Sequence, residues 1–141
     1  MTDIIIAGIG QIPVGEHWEL SLRSQAAKAM LAAVRDAGGI RPQALYIGNF
    51  LASVVSHQSN LGALLAENAG MTGIEAYTVE AAGASGAGAF RTGYLAVASG
   101  FVDAALVLGV EKYTDMVGAG LESAAAQAMD YDYEGVQGLS A

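Results

Sequence analysis

The sequence contains no cysteine, and this absence limits the chemistry that the chain can perform. Disulfides, thiolate metal sites and a cysteine nucleophile are all excluded from these 141 residues. Charged residues are also scarce, at 14% of the chain against a typical ~25%. The 6 basic residues are outnumbered by 14 acidic ones, which gives a net charge of -8. Because an acidic surface repels phosphate backbones, we expect no nucleic-acid partner.

The sequence also lacks a long apolar run and a basic leader. Glu80 and Arg91 interrupt the richest apolar region, so no stretch approaches the ~18 residues of a membrane-spanning helix. The first residues lead into an apolar stretch without a basic segment, which predicts that there is no signal peptide. A hydrophobic content of 53% excludes intrinsic disorder. We therefore expect a soluble, cytoplasmic protein.

Short apolar runs alternate with helical patterns along the chain. The order of these patterns is typical of βαβ units, and strands that are apolar at nearly every position indicate a sheet covered on both faces. The sequence therefore predicts an α/β fold with a mostly parallel sheet and helices on both faces. The predicted strands are residues 4–8, 44–48, 75–79 and 104–110, and the predicted helices are residues 20–37, 61–70 (capped by Asn60), 84–99 and 121–129.

The predicted helix over residues 84–99 carries a single charge, Arg91. Its other positions are apolar or small, so we expect it to be buried nearly all round. Glycine inside a helix costs about 1 kcal/mol against alanine, and close packing against neighbouring backbones is the expected reason for Gly86, Gly88 and Gly93. A predicted strand precedes this helix, so we expect a turn between the two. At this turn the positive end of the helix dipole would favour an anion or a developing oxyanion.

Two motifs in the sequence are incomplete. Residues 8–13 begin like a dinucleotide fingerprint, but Pro13 stands where its third glycine belongs, so we predict an ordinary tight loop. Ser85 lies in a turn similar to a nucleophile elbow. Activation of such a serine needs a histidine base, and His17 and His57 both precede it, so we do not expect a complete triad.

Polar residues elsewhere leave two interpretations open. His57 lies in a polar loop, where it is either a functional group or a hydrogen-bonded surface residue, and no second ligand at a suitable spacing supports a metal site. Glu111 and Lys112 follow the last predicted strand, at the edge where open α/β sheets place ligands. An ion pair at the start of a helix explains this pair equally well.

Residues 79–89, continuing through residue 100, resemble the nucleophile segment of the thiolase superfamily. The likeness is strongest to the sterol-carrier-type and archaeal acetyl-CoA acetyltransferases. Residues 6–15 resemble the opening strand and turn of the family, residues 103–116 its next strand and loop, and residues 133–139 the start of its loop region. The resemblance implies the N-terminal half of a thiolase-like αβαβα sandwich. It divides the chain into an α/β core at residues 1–113 and the start of the loop region at residues 114–141.

The resemblance also implies the site. The nucleophile of the family is a cysteine, and the matching position here is Gly83, whereas Ser85 matches a serine that the family itself carries. We therefore take the Gly83 position and Ser85 as candidate catalytic residues, and we add His57 as a third because of its position in a polar loop. Acyl-CoA is implied as substrate, with no further cofactor and no metal. Dimerisation through residues 75–80 is implied as well.

The chain matches about the first third of a thiolase by this resemblance. Later family motifs, which supply two histidines and a second cysteine, have no counterpart before Ala141. We expect either a truncation or a remaining half on another polypeptide, and a chain that is not monodisperse alone because its central helix would expose an apolar patch. Three functions stay open: an acyltransferase that has lost its nucleophile, a thiolase-like aldolase that cleaves a β-hydroxyacyl-CoA with an acyl-CoA-binding partner protein, and a non-catalytic assembly module.

Overall fold

The computed structural model describes residues 3–138, and its centre is a three-stranded parallel sheet. The strands are β1 (Ala44–Gly48), β2 (Glu75–Val79) and β3 (Ala105–Gly109), in the order β2-β1-β3. All five residues of β1 are buried, as the apolar run predicts for a strand covered on both faces. The α/β class and the three downstream strands are therefore confirmed.

The described residues form five helices, three of which pack on the sheet. Residues of β1 alternate between two cores: Leu45 and Ile47 pack with α1 and α3, and Ala44 and Tyr46 pack with α4. Helices on both faces are thus confirmed. The helices are α1 (Leu22–Asp36), α2 (Ala52–Val55), α3 (Leu61–Asn68), α4 (Ser85–Ala98) and α5 (Ala119–Ala125), with 3-10 turns at Ala82–Ala84, Tyr113–Asp115, Ala126–Ala128 and Gly135–Gln137.

The predicted strand at residues 4–8 is wrong. The segment pairs with no strand in the described part of the chain and instead lies along α1, where the Ile9 amide donates to Asp36 Oδ2 at 2.8 Å. A Cβ on Gly8 would lie 2.4 Å from the Ala37 nitrogen, so the main chain lies directly on the helix. Ile5 is consequently 79% exposed. The outer edges of β2 and β3 carry no further strand in the described residues, so the contact with α1, not a lack of free strand edges, overrides the local β propensity of this segment.

The all-round burial predicted for residues 84–99 is also wrong. One face of α4 packs on the sheet, where Gly93 lies so close to Val107 that an added Cβ would be 2.6 Å from its Cγ2. The opposite face is open, and Phe90 and Tyr94 are 53% and 48% exposed. Close packing is confirmed at Gly93 and at Gly88, but a Cβ on Gly86 would meet nothing within 4 Å.

Smaller differences concern the helix ends. Asn60 occupies the N-cap of α3, but its φ of 55° is left-handed and its side chain makes no capping bond. Helix α2 was absent from the sequence expectation, and the predicted helix at 121–129 begins at Ala119 and passes into a 3-10 turn after Ala125. Residues 133–138 of the resemblance are described, whereas Leu139 lies outside the described residues. The boundary between residues 113 and 114 stays a prediction. Within residues 3–138, no helix combines the length and the hydrophobicity needed to cross a membrane.

Candidate functional site at the carboxyl ends of the strands

The turn between β2 and α4 is held by two side chains. Ser85 is buried, and its Oγ donates to the Ala82 carbonyl at 2.7 Å and accepts from the Ala81 amide at 2.9 Å. Glu80 Oε1 accepts from the Ala82 amide at 2.5 Å. These bonds stabilise Ala82 at a φ of 47°, a left-handed conformation that costs a non-glycine residue free energy. None of these three bonds uses the amide of Gly83.

Gly83 is exposed at the tip of this turn, directly before α4. Its φ lies outside the left-handed region, and a Cβ placed on it would meet no atom within 4 Å. Neither backbone conformation nor crowding within the chain therefore requires glycine at this position. A side chain would project from the turn at the positive end of a 14-residue helix.

The structure does not join the two histidines to this turn. His57 follows α2, is exposed and has a φ of 50°, and Ser85 Oγ makes its bonds to main-chain atoms of its own turn. His17 lies in the N-terminal segment, with its Nε2 2.7 Å from the Pro13 carbonyl oxygen. Catalytic roles for Gly83, Ser85 and His57 stay predictions.

The exit of β1 lies directly beneath the first turn of α4. A Cβ on Gly48 would be 2.6 Å from the Gly86 Cα, so only glycine lets the strand and the helix approach this closely. The next residue, Asn49, is 5% exposed; its Nδ2 donates to the Val110 carbonyl at 2.7 Å and its Oδ1 accepts from the Ala52 amide at 3.0 Å. Sequence reasoning missed Asn49, although a polar residue immediately after a predicted buried strand is a signal for such a role.

Glu111 and Lys112 have separate partners. Glu111 Oε1 accepts from the Phe50 amide and, at 3.2 Å, from the Leu51 amide. Lys112 is 8% exposed, pairs with Asp115 and donates to Thr114 Oγ1 at 2.9 Å. The structure thus favours an ion pair for Lys112, made with Asp115 rather than with its neighbour.

Asp115 is an exposed residue whose carboxylate is only partly buried and accepts two hydrogen bonds. Burial on its own raises the pKa of the carboxyl, but the bonds from Lys112 and from Ser56 Oγ, the latter at 2.7 Å, more than offset it. The pKa of Asp115 is therefore lowered from its ordinary value. Through Ser56, the carboxylate also ties the segment after β3 to the end of α2.

An open cleft of about 500 Å³ lies beside this network. It runs between the loop around Trp18 and the segment from Glu111 to Leu121, with Tyr113 and Met116 in its wall. Gly83, Ser85 and His57 do not line it.

A family model described as the thiolase N-terminal domain matches residues 4–139. The chain belongs to the thiolase family. Its resemblance to thiolases, and its fold as the N-terminal α/β half of a thiolase, are thereby confirmed. This assignment agrees with the parallel sheet covered by helices on both faces.

Two curated relatives of this thiolase-family chain are named acetyl-CoA acetyltransferase. The protein of Methanothermobacter thermautotrophicus is 41% identical over an alignment of 142 positions that covers 99% of this chain and 37% of the relative. That of Methanocaldococcus jannaschii is 44% identical over an alignment of 142 positions that covers 99% of this chain and 36% of the relative. The chain thus spans about a third of the length of these relatives.

Proposed function

We propose that this chain contributes part of the N-terminal half of an acetyl-CoA-acetyltransferase-like protein that acts on or binds acyl-CoA, and that its nucleophile position is occupied by Gly83. The observation that carries the proposal is the turn of residues 80–85, which is braced by Ser85 and Glu80 around a position with room for a side chain. The similarity to two acetyl-CoA acetyltransferases supplies the class of substrate. A cytoplasmic location and the division of the chain at residues 113 and 114 belong to this proposal.

The turn is suited to stabilise negative charge on an acyl oxygen. Amides at the start of α4 and the positive end of the helix dipole favour an oxyanion at this place. A covalent acyl intermediate needs a nucleophile, and Gly83 has none. Loss of a nucleophile can cost on the order of 10⁶ in rate, so we expect no ping-pong acyl transfer by this chain as it stands.

The glycine at position 83 also favours a second function. A thiolase-like aldolase that cleaves a β-hydroxyacyl-CoA needs acid–base groups and an oxyanion site, but no covalent nucleophile. In that case an acyl-CoA-binding partner protein would complete the assembly. The third function is that of a non-catalytic assembly module, which would carry out neither acyl transfer nor cleavage of a β-hydroxyacyl-CoA.

Two open surfaces support the proposed partners. The outer edge of β2 is unpaired in the described chain and its Tyr77 is 44% exposed, which supports a homodimer through residues 75–80. The exposed face of α4 supports contact with the remaining half of a thiolase-like protein. The chain exposes 8603 Å², about 1,800 Å² more than the roughly 6,800 Å² expected of a folded monomer of 14.3 kDa, an excess of about twice the roughly 800 Å² that one partner buries in a standard interface.

The experiment is a chimera in which this chain replaces the matched segment of the Methanocaldococcus jannaschii relative. We expect no thiolysis of acetoacetyl-CoA with Gly83, and thiolysis after Gly83→Cys. Cleavage of a β-hydroxyacyl-CoA by the Gly83 form would instead favour the lyase, and acyl-CoA binding without either reaction would favour the module. A folded Gly83→Cys chimera that neither binds nor converts acyl-CoA, while the unmodified relative does, would overturn the proposal.

A further inference from the structure

The backbone that follows β1 is held by hydrogen bonds to a residue that follows β3. Glu111, which follows β3, accepts hydrogen bonds from the Phe50 and Leu51 amides, about sixty positions away in sequence. These amides precede α2, a helix of four residues that is too short to be stable without such support. We propose that Glu111 is a positioning residue for the Gly83 turn, because its carboxylate fixes the part of the backbone on which that turn rests. The inference rests on the proposed function, which places the reacting group at Gly83.

Asn49 is bonded to the residue directly before Glu111. The Asn49 side chain bridges the Val110 carbonyl and the Ala52 amide, and the Val110 amide donates to the Gly48 carbonyl at 3.2 Å. The main chain at residues 48–52 is therefore held at several consecutive positions. The Glu111 carboxylate is the one charged group in these bonds, and hydrogen bonds to charged acceptors are the strong ones.

The residues that follow β1 also contact the turn that carries Gly83 on two sides. The Asn49 amide donates to the Val79 carbonyl at 3.3 Å, at the point where β2 ends and the turn begins. On the other side, Gly48 packs against the backbone of Ser85 and Gly86 at a distance that admits no Cβ. A displacement of residues 48–50 would therefore shift the backbone directly below Gly83.

The test uses a thiol as a reporter. The chain has no cysteine, so Gly83→Cys introduces a single thiol in the full chain. The rate of its alkylation by iodoacetamide against pH gives its pKa. The positive end of α4 should lower that pKa from its usual value of about 8.5 by about 0.2–0.7 unit, which is about two- to fivefold in thiolate at neutral pH.

Glu111→Gln in that background separates positioning from simple charge. Removing a nearby negative charge acts through space to lower the pKa of the thiol, whereas loosening the first turn of α4 raises it towards its usual value. We expect a rise, seen as alkylation at neutral pH that is slower by up to about fivefold. An unchanged or lowered pKa in a folded variant overturns the inference.

Two further variants keep the test decisive. Glu111→Asp retains the charge but moves the carboxylate away from the Phe50 and Leu51 amides, so a rise in the pKa of the thiol is expected here too. If Glu111→Gln does not fold, a folded Glu111→Asp variant without this rise overturns the inference. Gln43→Ala is the matched control, because Gln43 accepts from the Asp103 amide at 2.6 Å and joins β1 to β3 at the opposite end of the sheet. Its removal should leave the pKa of the thiol unchanged. Since the assay contains no acyl-CoA, failure of the proposed function would not alter its outcome.

Discussion

Replacing Gly83 by alanine should stabilise the chain, and this prediction follows directly from the geometry of the turn. The φ of Gly83 is accessible to other residues and its Cβ position is empty. Alanine would then act mainly by reducing the conformational entropy of the unfolded chain, which raises the free energy of unfolding by about 0.4–1 kcal/mol. The corresponding rise in the melting temperature is about 1–4 °C. Urea unfolding followed by far-UV circular dichroism measures the change.

Gly48→Ala is the matched control for this prediction. Its Cβ would lie 2.6 Å from the Gly86 Cα, and backbone cannot move aside as a flexible side chain can. We expect a loss of about 1–3 kcal/mol or more. If Gly83→Ala were destabilising to a similar extent, the turn itself would demand glycine, and the reasoning that treats residue 83 as a vacated side-chain position would be refuted.

Three further predictions concern the ion pair, the core and the open face of α4. Asp115→Asn should cost about 2 kcal/mol at neutral pH, between the values for an exposed and a fully buried ion pair, because the Lys112 ammonium is buried whereas solvent screens the exposed Asp115. Since the folded pKa of Asp115 lies below the ordinary 3.8, this contribution is complete above that value and disappears as the pH falls through the folded pKa. Tyr46→Phe should lower the free energy of unfolding by about 1 kcal/mol, because it removes the bond to Glu75. Burial and this bond raise the pKa of Tyr46, so the wild type loses stability above pH 10.0, where the tyrosine of the unfolded chain gives up its proton first. The Phe variant should lose less stability in that range. Phe90→Ser should change stability by less than about 0.5 kcal/mol and reduce binding of a hydrophobic dye.

For each of these three predictions, one measurement checks it and one result would contradict it. Urea titrations across the acid range test Asp115, and a difference from the wild type that persists in strong acid would contradict the assigned ion pair. The same titrations in alkali test Tyr46, and an unaltered alkaline slope would contradict the raised pKa. For Phe90, the control is Ala89→Leu, which overfills a fully buried site and should destabilise. Sedimentation of the wild type as a monomer that binds no dye would contradict the predicted apolar patch.

The central strand of the sheet could be predicted because its burial is reflected in its local composition. β1 is buried at every position and its apolar run is continuous, whereas β3 is equally apolar in sequence but only Leu108 of it is buried, and no residue of β2 is. Residues 4–8 have the same composition but take their place from packing on α1, which strand propensity does not encode. The apolar character of α4 likewise indicates a surface to be covered, but it does not say whether this chain covers it.

The position of the site could be predicted from the sequence, but the contacts that hold it in place could not. The strand–turn–helix junction and the resemblance lead to Gly83 and Ser85, which lie where expected at the start of α4. The bonds that hold the neighbouring backbone join residues about sixty positions apart, as between Glu111 and Phe50. Such pairs depend on the register of β1 against β3, and no local sequence pattern specifies that register.

Mass spectrometry of the acetylated protein tests the central claim most directly. The Gly83→Cys chimera with the Methanocaldococcus jannaschii relative is incubated with acetyl-CoA, digested, and searched for acetyl groups. The account predicts a thioester at residue 83 that is removed by free CoA, and no modification there in the Gly83 form. A folded chimera whose introduced thiol stays unmodified, under conditions in which the unmodified relative is acetylated, would contradict it.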